Sequence, residues 1–561
     1  MGYRLLQIFE TSLHYLQGSV YNMQSKSIRL KMLYPFYEDA LELCYLLYEK
    51  TGQDQYANEV FRLSDLVKSF QIKEILNQQN MNASGSENPQ EEKTEELQTE
   101  IAAIRDQILE SNRLNNPDSL RLFNLTKSIS ELTGQLALQN ELKPDQEYSV
   151  NNPFQYKEFP MQKLISYMKS ENADLLDYFI GKDQMYILLI NSKGFKLFRE
   201  NLSPDSKLMA EKFIHTIKNH SLKMEGDSLP ALAVQLYNIL LRPVQESLLN
   251  PNLIVVPDAW ISYLPFEYLV TAKKSNSSSF TTRTIWYEYA STLPLSKRLN
   301  NPTETDYAGF APEYNDQEII HQRGLDSLIT YPIYSANRNS IGSLLFNKPE
   351  VKEASRLLNG DAYSGNLVNK ELFIKESSKA RILHLAMHAL TDDKHPEYSQ
   401  LVFKNENNAE TSTSMYAYEL ARMKLNADLS VLSACNSGSG KFQKGEGVLS
   451  LARAFKASGC PNIVMSLWPA NDASTKDIVV GFFKHLKAGL GKADALRQSK
   501  QDYLDTASDE LKHPYYWAGL VLIGNNEPMK FGSTQLPLIL LFFITLLVAG
   551  LIYRRTKKRS L

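Results

Sequence analysis

At 561 residues the chain is several times longer than one hydrophobic core can serve, so three or more structural units are expected. Its 61 basic residues against 63 acidic ones leave a net charge of −2, which gives no electrostatic footprint for nucleic acid or another polyanion. The three cysteines, Cys44, Cys435 and Cys460, are too few and too scattered for a disulfide framework or a structural zinc site, so a reduced functional thiol is the open reading.

Residues 1–76 read as helical. Leu41, Cys44, Tyr45 and Tyr48 fall at helix spacing, Thr51-Gly52 stops the run, and Tyr56, Val60, Leu63 and Val67 begin a second helix. The pattern suits a tetratricopeptide-type unit, a surface for a protein partner, and it suits an ordinary helical hairpin equally. Such arrays normally need about three neighbours to bury a continuous core, so this one is short. Residues 77–96 have no apolar period and read as a linker. Over 97–143 the seam Leu97, Ile101, Ile104, Ile108 is followed by the turn Asn115-Asn116-Pro117-Asp118. A second seam, Leu122, Leu125, Ile129, Leu132, Leu136, completes an antiparallel helical hairpin.

From residue 150 strands and helices alternate. Strands at 175–180, 185–190 and 195–198 form a meander, helices follow near 207–219 and 229–241, and Leu253-Ile254-Val255-Val256 is a buried strand. Another strand ends at Gly309-Phe310-Ala311-Pro312, and a helix covers 350–358. Beyond residue 440 come a strand at 462–467, helices over 474–486 and 492–503, and a last strand at 516–523. This alternation predicts an α/β fold with a mainly parallel sheet covered by helices on both faces, as two sheets or as one with a large insertion.

Residues 536–553 are uncharged and apolar, and Arg554, Arg555, Lys557, Lys558 and Arg559 lie in the basic tail 554–561. At about 1.5 Å per residue such a stretch just crosses ~30 Å of hydrocarbon, so one C-terminal transmembrane helix is expected, with the tail cytoplasmic. Residues 1–24 carry Arg4, Glu10 and His14 and lack the form of a signal peptide, and Leu6 occupies the position where myristoylation needs Ser or Thr. The protein is therefore expected at a membrane as a single-pass chain, and which side its bulk occupies is left open.

Two apolar runs carry the chemistry. Ile382-Leu383-His384-Leu385-Ala386-Met387 ends at His388, and Leu429-Ser430-Val431-Leu432-Ser433-Ala434 ends at Cys435. Each reads as a strand buried in a parallel sheet, and loops leaving the carboxyl ends of neighbouring strands form the crevice where such sheets do chemistry. A cysteine attacks as thiolate and needs a base nearby, and histidine serves because its pKa lies near neutrality. The order and the interval, about 50 residues, agree with the caspase pattern. His384 shares the strand alternation of His388 but lies deeper along the strand, and is read as a hydrogen-bonded core residue.

Six motifs now stand in order: Leu-Pro-Phe-Glu at 264–267, Leu-His-Leu-Ala-Met-His-Ala at 383–389, Leu-Ser-Ala-Cys-Asn-Ser-Gly at 432–438, Gly-Glu-Gly at 445–447, Ser-Leu-Trp-Pro-Ala-Asn-Asp at 466–472 and His-Pro-Tyr-Tyr-Trp-Ala-Gly at 513–519. Together they resemble the CHAT domain, a caspase-like family related to the separases that commonly follows tetratricopeptide repeats. The resemblance implies a caspase-like cysteine endopeptidase in two halves, a degenerate one over 150–335 and a catalytic one over 336–526. It implies His388 as base, Cys435 as nucleophile, and the backbone amides of Ala389 and Cys435 as oxyanion donors, with no metal or cofactor. It also makes Asp472 a candidate acid for a basic P1 residue, with Glu446 as a rival; the same Asp472 suits a helix N-cap. Where relatives have glycine after the histidine this chain has Ala389, which a left-handed backbone would strain. The alternative reading is a non-catalytic scaffold whose helical repeats bind a protein partner at the membrane.

Overall fold

The computed structural model describes residues 23–68, 119–141, 159–219, 229–272, 283–296, 303–314, 344–390, 399–403, 414–433, 451–469 and 471–531, with isolated positions at 72, 97–107 and 442–448. Two helices come first, α1 (Met23–Thr51) and α2 (Asp54–Lys68). Gly52, at φ 66°, caps α1 and turns the chain, a conformation glycine adopts without strain. Leu41 and Cys44 of α1 and Ala57, Val60, Phe61, Leu63 and Val67 of α2 are fully buried, and nearly all of them belong to the same apolar core as the sheet. The helix spacing read from the sequence is therefore present, and its apolar face lies on the α/β unit. On α3 (Ser119–Glu141), Leu132 packs with Leu97 and Ile104, joining the two seams of the expected hairpin at that point. Ile101 and Ile108 lie outside the described residues.

After α4 (Met161–Glu171) the meander is β1 (Ala173–Ile180), β2 (Gln184–Asn191) and β3 (Gly194–Asn201). Then follow α5 (Asp205–Lys218), α6 (Leu229–Leu240), β4 (Asn252–Val256), α7 (Phe266–Ala272), β5 (Thr284–Tyr287) and β6 (Thr305–Pro312). The chain continues through α8 (Asn347–Leu358), β7 (Asp361–Gly365), α9 (Lys370–Ser377), β8 (Ala380–Leu385), β9 (Ala389–Leu390), β10 (Gln400–Val402) and β11 (Ser414–Tyr416). It ends with α10 (Ala417–Leu420), β12 (Leu429–Leu432), β13 (Phe442–Gln443), β14 (Gly447–Val448), α11 (Leu451–Ala457), β15 (Asn462–Ser466), α12 (Asp472–Lys487), α13 (Lys492–Thr506) and β16 (Leu520–Ile523).

In place of two sheets there is one continuous sheet: eleven strands in the order β3-β2-β1-β4-β5-β16-β15-β12-β8-β6-β7. Pairing is parallel except for β1–β2, β2–β3 and β15–β16. The joint between its two parts is narrow, a parallel contact between β5 and β16 at Tyr287 and Ile523, reinforced by the Gly524 amide on the Tyr287 carbonyl at 2.9 Å. Buried polar pairs strengthen it. Glu267 accepts from Lys500 on α13 at 3.4 Å, Glu288 pairs with Lys456 on α11, and Thr284 donates to Asp494 at 2.7 Å. β6 lies between β8 and β7, so strands from both sides of residue 335 share that part of the sheet. Because β16 runs against β15, the carboxyl ends of β6, β7, β8, β12 and β15 share one edge, while those of β1, β4 and β5 lie on the other. No helix among the described residues is long and apolar enough to cross a membrane. The expected span at 536–553 and the basic tail lie outside the described residues.

Candidate active site

β8 and β12 are adjacent and parallel, paired Leu429 with Ile382 through to Leu432 with Leu385. His388 lies three positions after Leu385, at the carboxyl edge, half-buried. Its backbone is fixed by Tyr314, just past β6: the His388 amide donates to Tyr314 Oη at 2.9 Å, and that hydroxyl donates to the Val402 carbonyl at 2.8 Å. The two rings lie 4.5 Å apart between centroids. Tyr314 thus helps to fix the His388 backbone and packs against its imidazole, and it escaped the sequence reading because a lone tyrosine after a strand carries no periodic signal.

Ala389 opens β9 and pairs opposite Leu401. The Val402 amide donates to the His388 carbonyl at 3.0 Å, so 388 and 402 form the hydrogen-bonded pair of the ladder and the Ala389 amide points away from β10. Among the described non-glycine residues positive φ occurs at Asn172, Ala259 and Asn359, not at Ala389. Alanine therefore carries no backbone strain here, and the substitution gives no ground for a purely scaffolding role. Cys435 and Glu446 lie outside the described residues; the described part of the cysteine strand ends at Ser433.

Ser433 belongs to a buried network. His384 is fully buried, with Nε2 2.7 Å from Glu350 Oε1 and 3.3 Å from Ser433 Oγ, and Nδ1 2.8 Å from Tyr307 Oη. Ser433 Oγ also donates to the Leu385 carbonyl at 3.3 Å. This agrees with the core reading of His384. Burial, with Glu350 nearby, pushes the Tyr307 hydroxyl well above its usual range, so it stays protonated.

Asp472 is the first residue of α12, and the N-cap is its neighbour Asn471, whose side chain accepts from the Ser474 amide. The Asp472 carboxylate instead accepts the Phe346 amide, just before α8, at 2.9 Å. Burial raises its pKa, with Glu350 adding to the rise and the backbone amides of Phe346 and Leu345 opposing it. Asp472 follows β15, so it shares the sheet edge with His388. Trp468 is buried and donates to the Tyr515 carbonyl at 3.0 Å, a packing role. Cys44 and Cys460 are buried and in no disulfide; Cys460 Sγ lies 3.1 Å from Ser430 Oγ and packs as expected. Among the described residues no group of three or more His, Cys, Asp or Glu is arranged to hold a metal.

The sequence pattern of the CHAT domain matches residues 230–525. The chain belongs to the CHAT domain family. Its curated relatives include human tetratricopeptide repeat protein 28, 24% identical over 344 residues, which are 53% of this chain and 13% of that protein. The mouse protein of the same name is 30% identical over 118 residues, 21% of this chain and 5% of that protein. The chain thus spans a small fraction of those proteins. Among solved structures it is similar to the complex of Porphyromonas gingivalis RgpB pro- and mature domains, with TM-score 0.33 and 10% identity, covering 59% of this chain and 79% of that one. A Saccharomyces cerevisiae separase–securin complex gives TM-score 0.37 and 11% identity, covering 74% and 32%. Within the CHAT domain the Leu-Pro-Phe-Glu motif lies away from His388: Glu267 accepts from Tyr287, at the carboxyl end of β5 on the opposite edge, at 2.7 Å and is buried against Lys500. That motif joins the two parts of the sheet.

Proposed function

We propose that this CHAT domain protein is a caspase-like cysteine endopeptidase acting on a protein substrate. The observation that carries the reading is the register of β8 and β12: Leu385 faces Leu432 on adjacent parallel strands, and in the sequence His388 and Cys435 each follow those residues by three positions. In this reading Cys435 passes its proton to His388 and the thiolate attacks the peptide carbonyl carbon. The amides of Ala389 and Cys435 donate to the oxyanion, and collapse expels the amine, which takes the proton from His388. Water, deprotonated by His388, then hydrolyses the thioester. No metal or nucleotide enters these steps.

Asp472, or failing it Glu446, would hold a basic P1 side chain, since an Arg guanidinium pairs a carboxylate in a bidentate fork. Residues 536–553 would anchor the chain in a membrane, and the N-terminal helices would meet a protein partner or regulator, as the name of the tetratricopeptide repeat relatives suggests. The purified full-length protein should cleave peptides after Arg or Lys, and Cys435→Ala and His388→Ala should each lower the rate at least a hundredfold. Cleavage that survives Cys435→Ala would overturn the reading and favour the scaffold.

A further inference from the structure

The first turn of α8 is bonded to the end of β6, to the residue after β8 and to Asp472, and through His384 it is linked to the residue after β12. The Phe346 amide, at its N-cap, donates to Asp472. Asn347, nearly fully buried, donates through Nδ2 to the Pro312 carbonyl at 2.9 Å and to the Ala386 carbonyl at 3.2 Å, two residues before His388. Glu350, also buried, meets His384 at 2.7 Å, and the same His384 nitrogen lies 3.3 Å from Ser433 Oγ, two residues before Cys435. Polar groups buried this deeply are held by their hydrogen bonds, so Glu350 and His384 constrain each other.

We propose that Glu350, His384 and Asn347 are positioning residues that fix the end of the cysteine strand relative to the end of the histidine strand. The inference rests on the His388–Cys435 reading and adds to it what holds the pair together. Asn347 fixes the strand end that bears His388 through the Ala386 carbonyl. Glu350 fixes the one that bears Cys435 through His384 and Ser433. All three act through the strand ends, as positioning residues. A thiolate–imidazolium pair depends steeply on separation, so loosening either link returns the thiol toward its ordinary pKa of about 8.5.

The test is the rate of iodoacetamide alkylation of Cys435 against pH, read by mass spectrometry on the full-length protein. It needs no peptide substrate. The unsubstituted protein should alkylate rapidly at pH 6, and His388→Ala should lose that reactivity. Glu350→Gln and the smaller change Ser433→Ala should slow alkylation at pH 6 at least tenfold and leave it within about twofold at pH 9.5, where an ordinary thiol is already ionised. Merely weakened folding would not give a loss confined to low pH, and buried Cys44 and Cys460 staying unlabelled reports an intact fold. If Glu350→Gln exposes those thiols, Ser433→Ala decides. Wild-type profiles in both variants, beside a loss in His388→Ala, overturn the inference alone. An ordinary thiol profile in the unsubstituted protein removes the dyad and the inference with it.

Discussion

Lys68→Met should destabilise the whole α/β unit, although Lys68 lies on an N-terminal helix outside the segment that matches the CHAT domain. Lys68 Nζ is 2.6 Å from Asp177 Oδ1 in the middle of β1, with the two side chains 2% and 0% exposed. Ser64 donates to the same oxygen at 2.9 Å and Ser291 to the other, while Lys68 also reaches the Val256 carbonyl at 3.3 Å. Beside them Asp65 accepts from the Thr292 amide at 2.9 Å. Removing one partner of a buried ion pair costs about 3–5 kcal/mol, because the other charge is left without compensation. Two hydroxyls remain on Asp177, so the low end, about 3 kcal/mol, is expected. Urea unfolding of the purified chain, followed by tryptophan fluorescence, reads this directly, since Trp286 is fully buried in β5, which pairs with β4, the strand next to β1. The double variant Lys68→Met with Asp177→Asn should lose clearly less than the two single losses added together. A Lys68→Met curve within about 0.5 kcal/mol of the parent would refute the claim that α2 is part of the α/β core.

Two further outcomes follow from local geometry. Burial lowers the Lys492 pKa to about 8 from 10.5, even with Glu527 and Asp428 opposing the shift. The folded state then binds fewer protons than the unfolded one between those values, so this residue makes stability rise with pH from about 8 toward 10, by at most about 1.4 kcal/mol per unit. Urea midpoints at pH 7.5, 8.5 and 9.5 should show that rise in the parent and a smaller one in Lys492→Met; equal slopes would contradict it. Gly519→Ala would place a Cβ 2.7 Å from the Trp468 ring, which is itself fixed by the Tyr515 carbonyl. Overpacking of this kind costs roughly 1–3 kcal/mol, and an unchanged melting temperature would show that the indole can yield.

The strands that bear the site were legible because both are buried on two faces and therefore read as unbroken apolar runs. His384 and Ser430 sit inside them as satisfied polar residues. The continuity of the sheet was not legible, since its joint is a single residue pair supported by ion pairs whose partners lie far apart in the chain. The same holds for α2. Asp65 and Lys68 lie outside the apolar spacing of that helix, and their partners, Asp177 in a fully buried strand and Thr292, show that this face is covered too. Ala389 was read against glycine on the premise of a left-handed backbone, and the short β9–β10 ladder sets an extended one instead. Tyr314, Asn347 and Glu350 carried no periodic signal, because their roles come from what the sheet edge brings beside them.

These contacts give the carboxyl edge of the sheet a particular logic. A parallel sheet fixes neighbouring strands only as far as their ladder runs, and the β8–β12 ladder ends at Leu385 and Leu432, short of both His388 and Cys435. Beyond that point the backbone needs other partners. On the histidine side they are Tyr314, which bridges the His388 amide to Val402, and Asn347, which holds the Ala386 carbonyl. On the cysteine side the described partners are the Leu385 carbonyl and His384, both on Ser433. His384 is in turn set by Glu350, one turn along α8 from the Phe346 amide that holds Asp472. A shift at the start of α8 would therefore move His388, the end of β12 and Asp472 together, and a change in that one turn would act on all three at once.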